Sequence, residues 1–142
     1  AAGITPPERT FKQAIGHAAY EQAGISPQDV EVAEVYDLST ALELDWYEDL
    51  GFCEPGQAEQ LLRDGETTLG GRLPVNPSGG LACFGEAVPA QALAQVCEIT
   101  WQLRGQAGDR QALGPDSGEP PKVGITANQG LFGHGSSVLL TR

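Results

Sequence analysis

Positive charge is scarce in this chain. Only 8 Lys and Arg stand against 19 Asp and Glu, a formal net charge of -11 over 142 residues. Nucleic acids and anionic lipid surfaces are held by basic side chains, so the deficit argues against both as partners. It argues equally against an isolated phosphate-binding role. Long apolar runs are also missing. None approaches the about 18 uncharged residues that a membrane-spanning helix needs, so no membrane span is expected. No basic segment followed by an apolar run opens the sequence, so no secretory signal is expected. Cysteine is sparse: Cys53, Cys83 and Cys97 form an odd set with no CxxC spacing. Such a set is neither a disulfide framework nor a zinc site. It implies reduced thiols in a cytoplasmic protein with no metal centre. There is no internal repeat.

What remains is ample for one folded domain. Hydrophobic residues make up 40% of the chain, enough for a core at this length. Residues 1–9 read as a loop. Phe11, Ala14, Ile15, Ala18 and Ala19 recur at helical spacing, which predicts a helix from Thr10 to Gln22 with Gly24 as its stop. Ser26-Pro27-Gln28-Asp29 reads as a helical-turn start. VEVAEV, Val30–Val35, reads as a strand. A second helix starts near Ser39 or Thr40, where Thr40 and Glu43 have capping-box spacing. Its apolar residues are Leu42, Trp46 and Leu50, and Gly51 ends it. A short helix is expected over Gln57–Asp64. Residues 66–86 are rich in Gly and Pro, with one strand-like piece at Leu73–Val75. A long helix is expected from Ala87 to Arg104, with Pro89 in its first turn and Leu93, Val96, Cys97 and Leu103 on or near its apolar face. Residues 105–121 read as a surface loop. Two final strands, Lys122–Asn128 and Ser136–Arg142, flank a glycine-rich turn. Strands alternating with helices imply an α/β layer with a hairpin-like antiparallel end. The strands Val30–Val35, Val123–Ile125 and Val138–Leu140 are expected to share one sheet.

Several short motifs have residues suited to chemistry. NPSGG, Asn76–Gly80, is a turn whose glycines permit close backbone approach, and read alone it is more readily a plain tight turn than a binding element. NQGLFGHG, Asn128–Gly135, can present backbone N–H groups to an oxyanion or be an ordinary hairpin. His134 lies between two glycines, where solvent or a ligand can reach it, and histidine is the natural acid/base near neutral pH. His17, within the first helix, reads as structural. Tyr36 and Asp37 end the first strand, a position from which α/β folds often present functional groups. Cys83 has no base beside it and reads as a small buried hydrophobe. Glu86 opens the long helix, where a carboxylate complements the positive helix end.

Taken in order, VEVAEVYD, LGFCEPGQ, GGRLPVNPSGG, LAQVCEITWQLRGQAGDRQ and ANQGLFGHGSS resemble the C-terminal domain of sterol-carrier-protein-type thiolases and of bacterial lipid-transfer thiolase-like proteins. The resemblance covers Phe11 to Arg142. It implies an α/β fold, a thiolase-like C-terminal domain with a mixed five-stranded sheet between helix layers, over residues 1–142. It also implies a second, N-terminal half that supplies the nucleophilic cysteine, and a homodimeric parent protein. Three family positions differ here. Gly85-Glu86-Ala87 stands where the family has GHP, so Glu86 replaces the histidine that activates the nucleophile. Ala33-Glu34-Val35-Tyr36 stands in place of an HDCF-type motif. Ala127 occupies the His or Cys position before the last loop, and that loop is longer by about two residues, which brings in His134.

A carboxylate in place of the imidazole repels a thiolate, so ordinary thiolysis ranks last among three readings. In the first, the resemblance implies a lipid-metabolism enzyme acting on an acyl-CoA, with the CoA thioester as substrate and no other cofactor. Some relatives resemble retro-aldolases that shorten steroid side chains with tyrosines, together with an OB-fold zinc-ribbon partner. Tyr36, Glu86 and His134 are then the candidate catalytic residues. Asn76, Ser78, Gly79, Gly80, Asn128, Gly130 and Gly133 are the candidate substrate-binding residues. The second reading is a non-catalytic acyl-CoA or lipid binder, or a scaffold subunit. The third is acetyl-CoA acetyltransferase-type thiolysis. On the first reading Tyr36, Glu86 and His134 are expected to meet at one cleft edge beside NPSGG.

Overall fold

A computed structural model of the chain describes residues 8–87, 89–115, 117–130 and 133–142. Most of the opening loop expected over residues 1–9 lies outside the described residues, as do Leu131 and Phe132 of the last glycine-rich loop, Val88 and Asp116.

The first helix, α1, runs Phe11–Ala23. A capping box opens it, with Thr10 and Gln13 exchanging side-chain and backbone hydrogen bonds, and Gly24 closes it with φ 66°. Strand β1 is Val32–Val35, two residues shorter at its start than expected. Helix α2, Thr40–Asp49, is capped by Ser39, whose hydroxyl accepts from the Leu42 N–H at 3.3 Å. The expected box on Thr40 does not form, because Glu43 accepts from the Tyr47 hydroxyl at 2.6 Å instead. Helix α3, Ala58–Arg63, and a short α4, Leu81–Phe84, precede α5, Ala90–Arg104. Strands β2, Val123–Gln129, and β3, Gly135–Thr141, complete the chain. No described helix is long and apolar enough to cross a membrane.

The three strands share one mixed sheet in the order β1-β2-β3. β1 runs parallel to β2 with Val35 opposite Ala127, and β3 returns antiparallel with Ser136 opposite Asn128. Among the described residues the sheet therefore has three strands, not the five expected. Leu73–Val75 adds only a single parallel bridge, Val75 to Ala33. The local chemistry explains why it stops there. The Ala33 N–H donates to the Pro74 carbonyl and the Asn76 N–H donates to the Ala33 carbonyl. Asn76 then leaves the extended region at φ 51°, and its side-chain oxygen takes the next donor, the Val35 N–H, at 2.7 Å. A side chain replaces the backbone acceptor and the ladder ends.

The two faces of the sheet are covered differently. Ala33, Val35, Ile125 and Ala127 pack with Tyr20, Trp46, Tyr47 and Leu50 of α1, α2 and the following turn in one large apolar cluster. On the other face Val32 meets Ile99 and Leu103 of α5. Gly124 lies against Ile99: a Cβ there would come within 2.5 Å of the isoleucine Cγ2, so glycine sets how closely α5 approaches. The expected apolar face of this long helix holds at Leu103, which is buried, and in part at Val96, which is half-buried; the rest is a correction. Leu93 is 66% exposed and Cys97 is also exposed, as is Cys83 of α4, expected from the sequence to lie in the interior. The buried face instead comprises Gln91, Gln95, Glu98, Ile99, Gln102 and Leu103. Burial is possible because these polar groups are bonded. Gln102 donates to the Arg110 carbonyl at 2.7 Å and accepts from the Ala112 N–H at 2.7 Å, and Glu98 binds Arg110 at 2.9 Å.

Candidate functional site

Parallel pairing places the C-terminal ends of β1 and β2, the turn after Val75 and the β2–β3 hairpin at the same end of the sheet. In open α/β sheets this end is where side chains converge on ligands. Tyr36 leaves β1 there, 5% exposed. Its hydroxyl donates to Glu86 Oε1 at 2.5 Å, although the two residues are 50 positions apart. Glu86 itself is exposed, on the segment between α4 and α5. The pair thus spans from the core to solvent. Burial, with the Glu86 carboxylate beside it, pushes the Tyr36 phenol up to about 12. Tyr36 is therefore a protonated donor at neutral pH.

NPSGG folds against the end of β1. Glu34, with 0% exposure, accepts from the Ser78 N–H at 3.0 Å and from the Ser78 hydroxyl at 2.7 Å. Burial raises the Glu34 carboxyl to about 7. The two Ser78 bonds oppose the shift, and the charges of Glu98 and Asp37 add to it. Asp37 accepts from the Leu81 N–H at 2.8 Å. Gly80, at φ 65°, lies where any Cβ would fall on the Asp37 carboxylate, so this contact requires glycine.

Tyr36 and Glu86 are brought into direct contact. Among the described residues no hydrogen bond joins His134 to either. His134 is exposed on the hairpin, and its carbonyl accepts from the Gly130 N–H at 2.7 Å. Gly133, at φ 76°, is exposed beside it. Of the NPSGG residues, Gly79 is exposed, Asn76 and Ser78 are half-buried and already bonded to Val35 and Glu34, and Gly80 is buried. Asn128 has both ends of its side-chain amide engaged, by Gln91 at 3.4 Å and by Gln95 at 3.0 Å. Sequence reasoning gave no role to Glu34, seen only as part of a replaced motif, or to Gln91 and Gln95. The signal for the two glutamines was available: Gln91, Gln95, Glu98 and Gln102 recur at steps of four, three and four, a polar stripe along one helix face.

The family described as thiolase C-terminal domain-like matches residues 5–141. Sterol carrier protein 2 of Rattus norvegicus is 45% identical over 114 residues, which cover 80% of this chain and 20% of the rat protein. Acetyl-CoA acetyltransferase of Methanothermobacter thermautotrophicus is 41% identical over 108 residues, 76% of this chain and 28% of that one. A solved structure titled Ltp2-ChsH2(DUF35) aldolase superposes with a TM-score of 0.74 at 30% identity, over 92% of this chain and 31% of that one. The chain thus spans about a fifth to a third of the length of these relatives. With the mixed sheet, the NPSGG turn and the final hairpin in place, the chain belongs to the thiolase C-terminal domain-like family.

Proposed function

We propose that this chain is the C-terminal half of a lipid-metabolism enzyme that cleaves a carbon–carbon bond in a β-hydroxyacyl-CoA by retro-aldol chemistry. The contact between Tyr36 and Glu86 is the observation that supports it. The family's histidine position holds a carboxylate, and that carboxylate has a tyrosine to work with. Similarity to a structure titled as an aldolase supports the same reading. A missing N-terminal half completes the enzyme. An OB-fold zinc-ribbon protein is its partner, the CoA thioester is substrate with no further cofactor, and the parent works as a cytoplasmic homodimer.

In this reaction the substrate hydroxyl gives its proton to the Tyr36 oxygen while the phenolic proton passes to Glu86. The bond between the α and β carbons breaks, and its electron pair moves into the thioester as an enolate. The pair returns the proton to the α carbon. The products are a ketone or aldehyde and a shortened acyl-CoA. His134, exposed at the same end of the sheet, is a candidate companion acid. Of the candidate binding residues, Gly79, Gly130 and Gly133 offer accessible backbone around the pair, and Asn76, Ser78, Gly80 and Asn128 support that surface from beneath.

The test uses the full-length parent with its zinc-ribbon partner and a steroid-side-chain β-hydroxyacyl-CoA. Cleavage is expected. Tyr36→Phe and Glu86→Gln are each expected to slow it by about 10²–10⁴-fold, the usual worth of a positioned acid/base. Wild-type rates in both variants would remove the pair from the mechanism. CoA-thioester binding without any cleavage would favour the non-catalytic binder. The isolated chain, incubated with acetoacetyl-CoA and CoA, is expected to show no thiolysis above background.

A further inference from the structure

Ala87, the neighbour of Glu86, is held at both of its backbone groups by one residue. The Gln91 N–H donates to the Ala87 carbonyl at 3.0 Å, and the Ala87 N–H donates to Gln91 Oε1 at 3.0 Å. Pro89, at the start of α5, contributes no side-chain cap, so Gln91 closes the helix end from within. The other end of the Gln91 amide reaches Asn128 Oδ1 at 3.4 Å. Asn128 Nδ2 donates to Gln95 Oε1 at 3.0 Å, and Gln95 Nε2 reaches the Ala127 carbonyl at 3.5 Å. Gln91 and Gln95 are each only 1% exposed. Buried amides with all their polar atoms engaged act as rigid ties. These tie the segment carrying Glu86 to the end of β2, where the last glycine-rich loop begins.

Glu86 needs such a tie. Its side chain is exposed, with several rotatable bonds, yet it must hold a 2.5 Å contact with a buried phenol. We propose that Gln91 is a positioning residue. By clasping Ala87 it fixes the backbone beside Glu86 and so holds the carboxylate against Tyr36, in register with Asn128 and the final loop. This inference rests on the Tyr36–Glu86 pair being the working site. Gln91 touches neither the phenol nor the carboxylate in the described hydrogen bonds, so its effect passes through Ala87.

The chain has 3 tyrosines, so ring-labelled tyrosine gives three resolvable Cζ signals by NMR, and Tyr36→Phe assigns the one that matters. At about pH 10.5, where an ordinary tyrosine is mostly ionised, the Tyr36 signal of the unaltered chain is expected in its phenol form. Glu86→Gln and Gln91→Leu are each expected to raise the phenolate-to-phenol ratio of Tyr36 about tenfold, the worth of one charge-assisted hydrogen bond. The double variant is expected to go no further than Glu86→Gln alone, and the signals of Tyr20 and Tyr47 are expected to stay in place. A Tyr36 signal unchanged by Gln91→Leu but shifted by Glu86→Gln overturns the positioning role and leaves the pair standing. A signal unchanged by Glu86→Gln overturns the pair and the inference together. Amide exchange in the unaltered chain needs no variant to fold. The Ala87 N–H is expected to exchange more slowly than that of Glu86, and equal, unprotected exchange at both would overturn the clasp.

Discussion

The two faces of the sheet solve the same packing problem with opposite materials. One face is covered by Trp46, Tyr47, Leu50 and their neighbours, a broad apolar cluster held chiefly by buried area, with the Tyr20 and Tyr47 hydroxyls bonded at its edge to the Leu50 carbonyl and Glu43. The other is covered by α5, which buries four polar residues, Gln91, Gln95, Glu98 and Gln102, beside only two apolar ones, Ile99 and Leu103. Apolar burial is non-directional and tolerates small shifts. Buried amides are directional and fix a register, at the risk of a large loss when one partner is removed. The face built from amides is the one that carries Glu86 and Asn128, where position matters most.

The largest effect is expected on the apolar face. Trp46→Ala should destabilise the fold by about 3–5 kcal/mol, measured by chemical denaturation, because an aromatic with 0% exposure leaves a cavity that helix and strand cannot close. A loss well below that would mean that this face repacks and the contrast is weaker than drawn.

The next largest belongs to Glu34 on the polar face. Its folded pKa, about 7, lies above the ordinary 4.5, so the folded chain holds this proton more tightly than the unfolded chain does. The stability it contributes is fully present below about pH 4.5 and is lost as the pH rises through about 7, by about 3 kcal/mol at most. Glu34→Gln should flatten that part of the profile when stability is followed from acid to neutral pH. An unchanged slope would mean that the Glu34 carboxyl does not carry the pH dependence of this face.

Gln95→Leu should cost about 1–3 kcal/mol, since it leaves Asn128 Nδ2 buried without an acceptor. Adding Asn128→Leu should recover part of the loss, and additive losses would argue against a coupled network. The smallest effect is expected at Leu93. Leu93→Gln, on the exposed side of α5, should change stability by less than about 0.5 kcal/mol.

Elements defined by local chemistry were legible in the sequence. The stop at Gly24, the existence of the three strands and the final hairpin follow from residues that act on near neighbours in sequence, whereas the pairing of β1 with β2 came from the α/β pattern as a whole. What failed to show depends on distant partners. Leu93, Val96 and Cys97 of α5 look like part of a core face by composition, but the glutamines of the same helix find acceptors and donors on β2 and on residues 110–112, and so take the inside. Leu73–Val75 has strand composition, yet Asn76 turns the chain after one bridge. At the site, Tyr36 stood out at a strand end and Glu86 at a helix start, and only the family pattern joined them; nothing local announces that they touch. The role of Glu34 depends on Ser78, 44 positions away, which periodicity alone cannot reveal.

The unequal covering of α5 has an optical consequence. The chain has 2 tryptophans, and they report on opposite environments. Trp46 is sealed in the apolar cluster with the Lys12 ammonium 5.1 Å from its ring centre. Trp101 is 45% exposed, one helical turn from the exposed thiol of Cys97. A water-soluble quencher should therefore darken only the redder part of the emission, from Trp101. A thiol-reactive dye on Cys97, with the exposed thiol of Cys83 replaced, should accept energy from Trp101 at close range, so the outer face of α5 carries its own donor and attachment point.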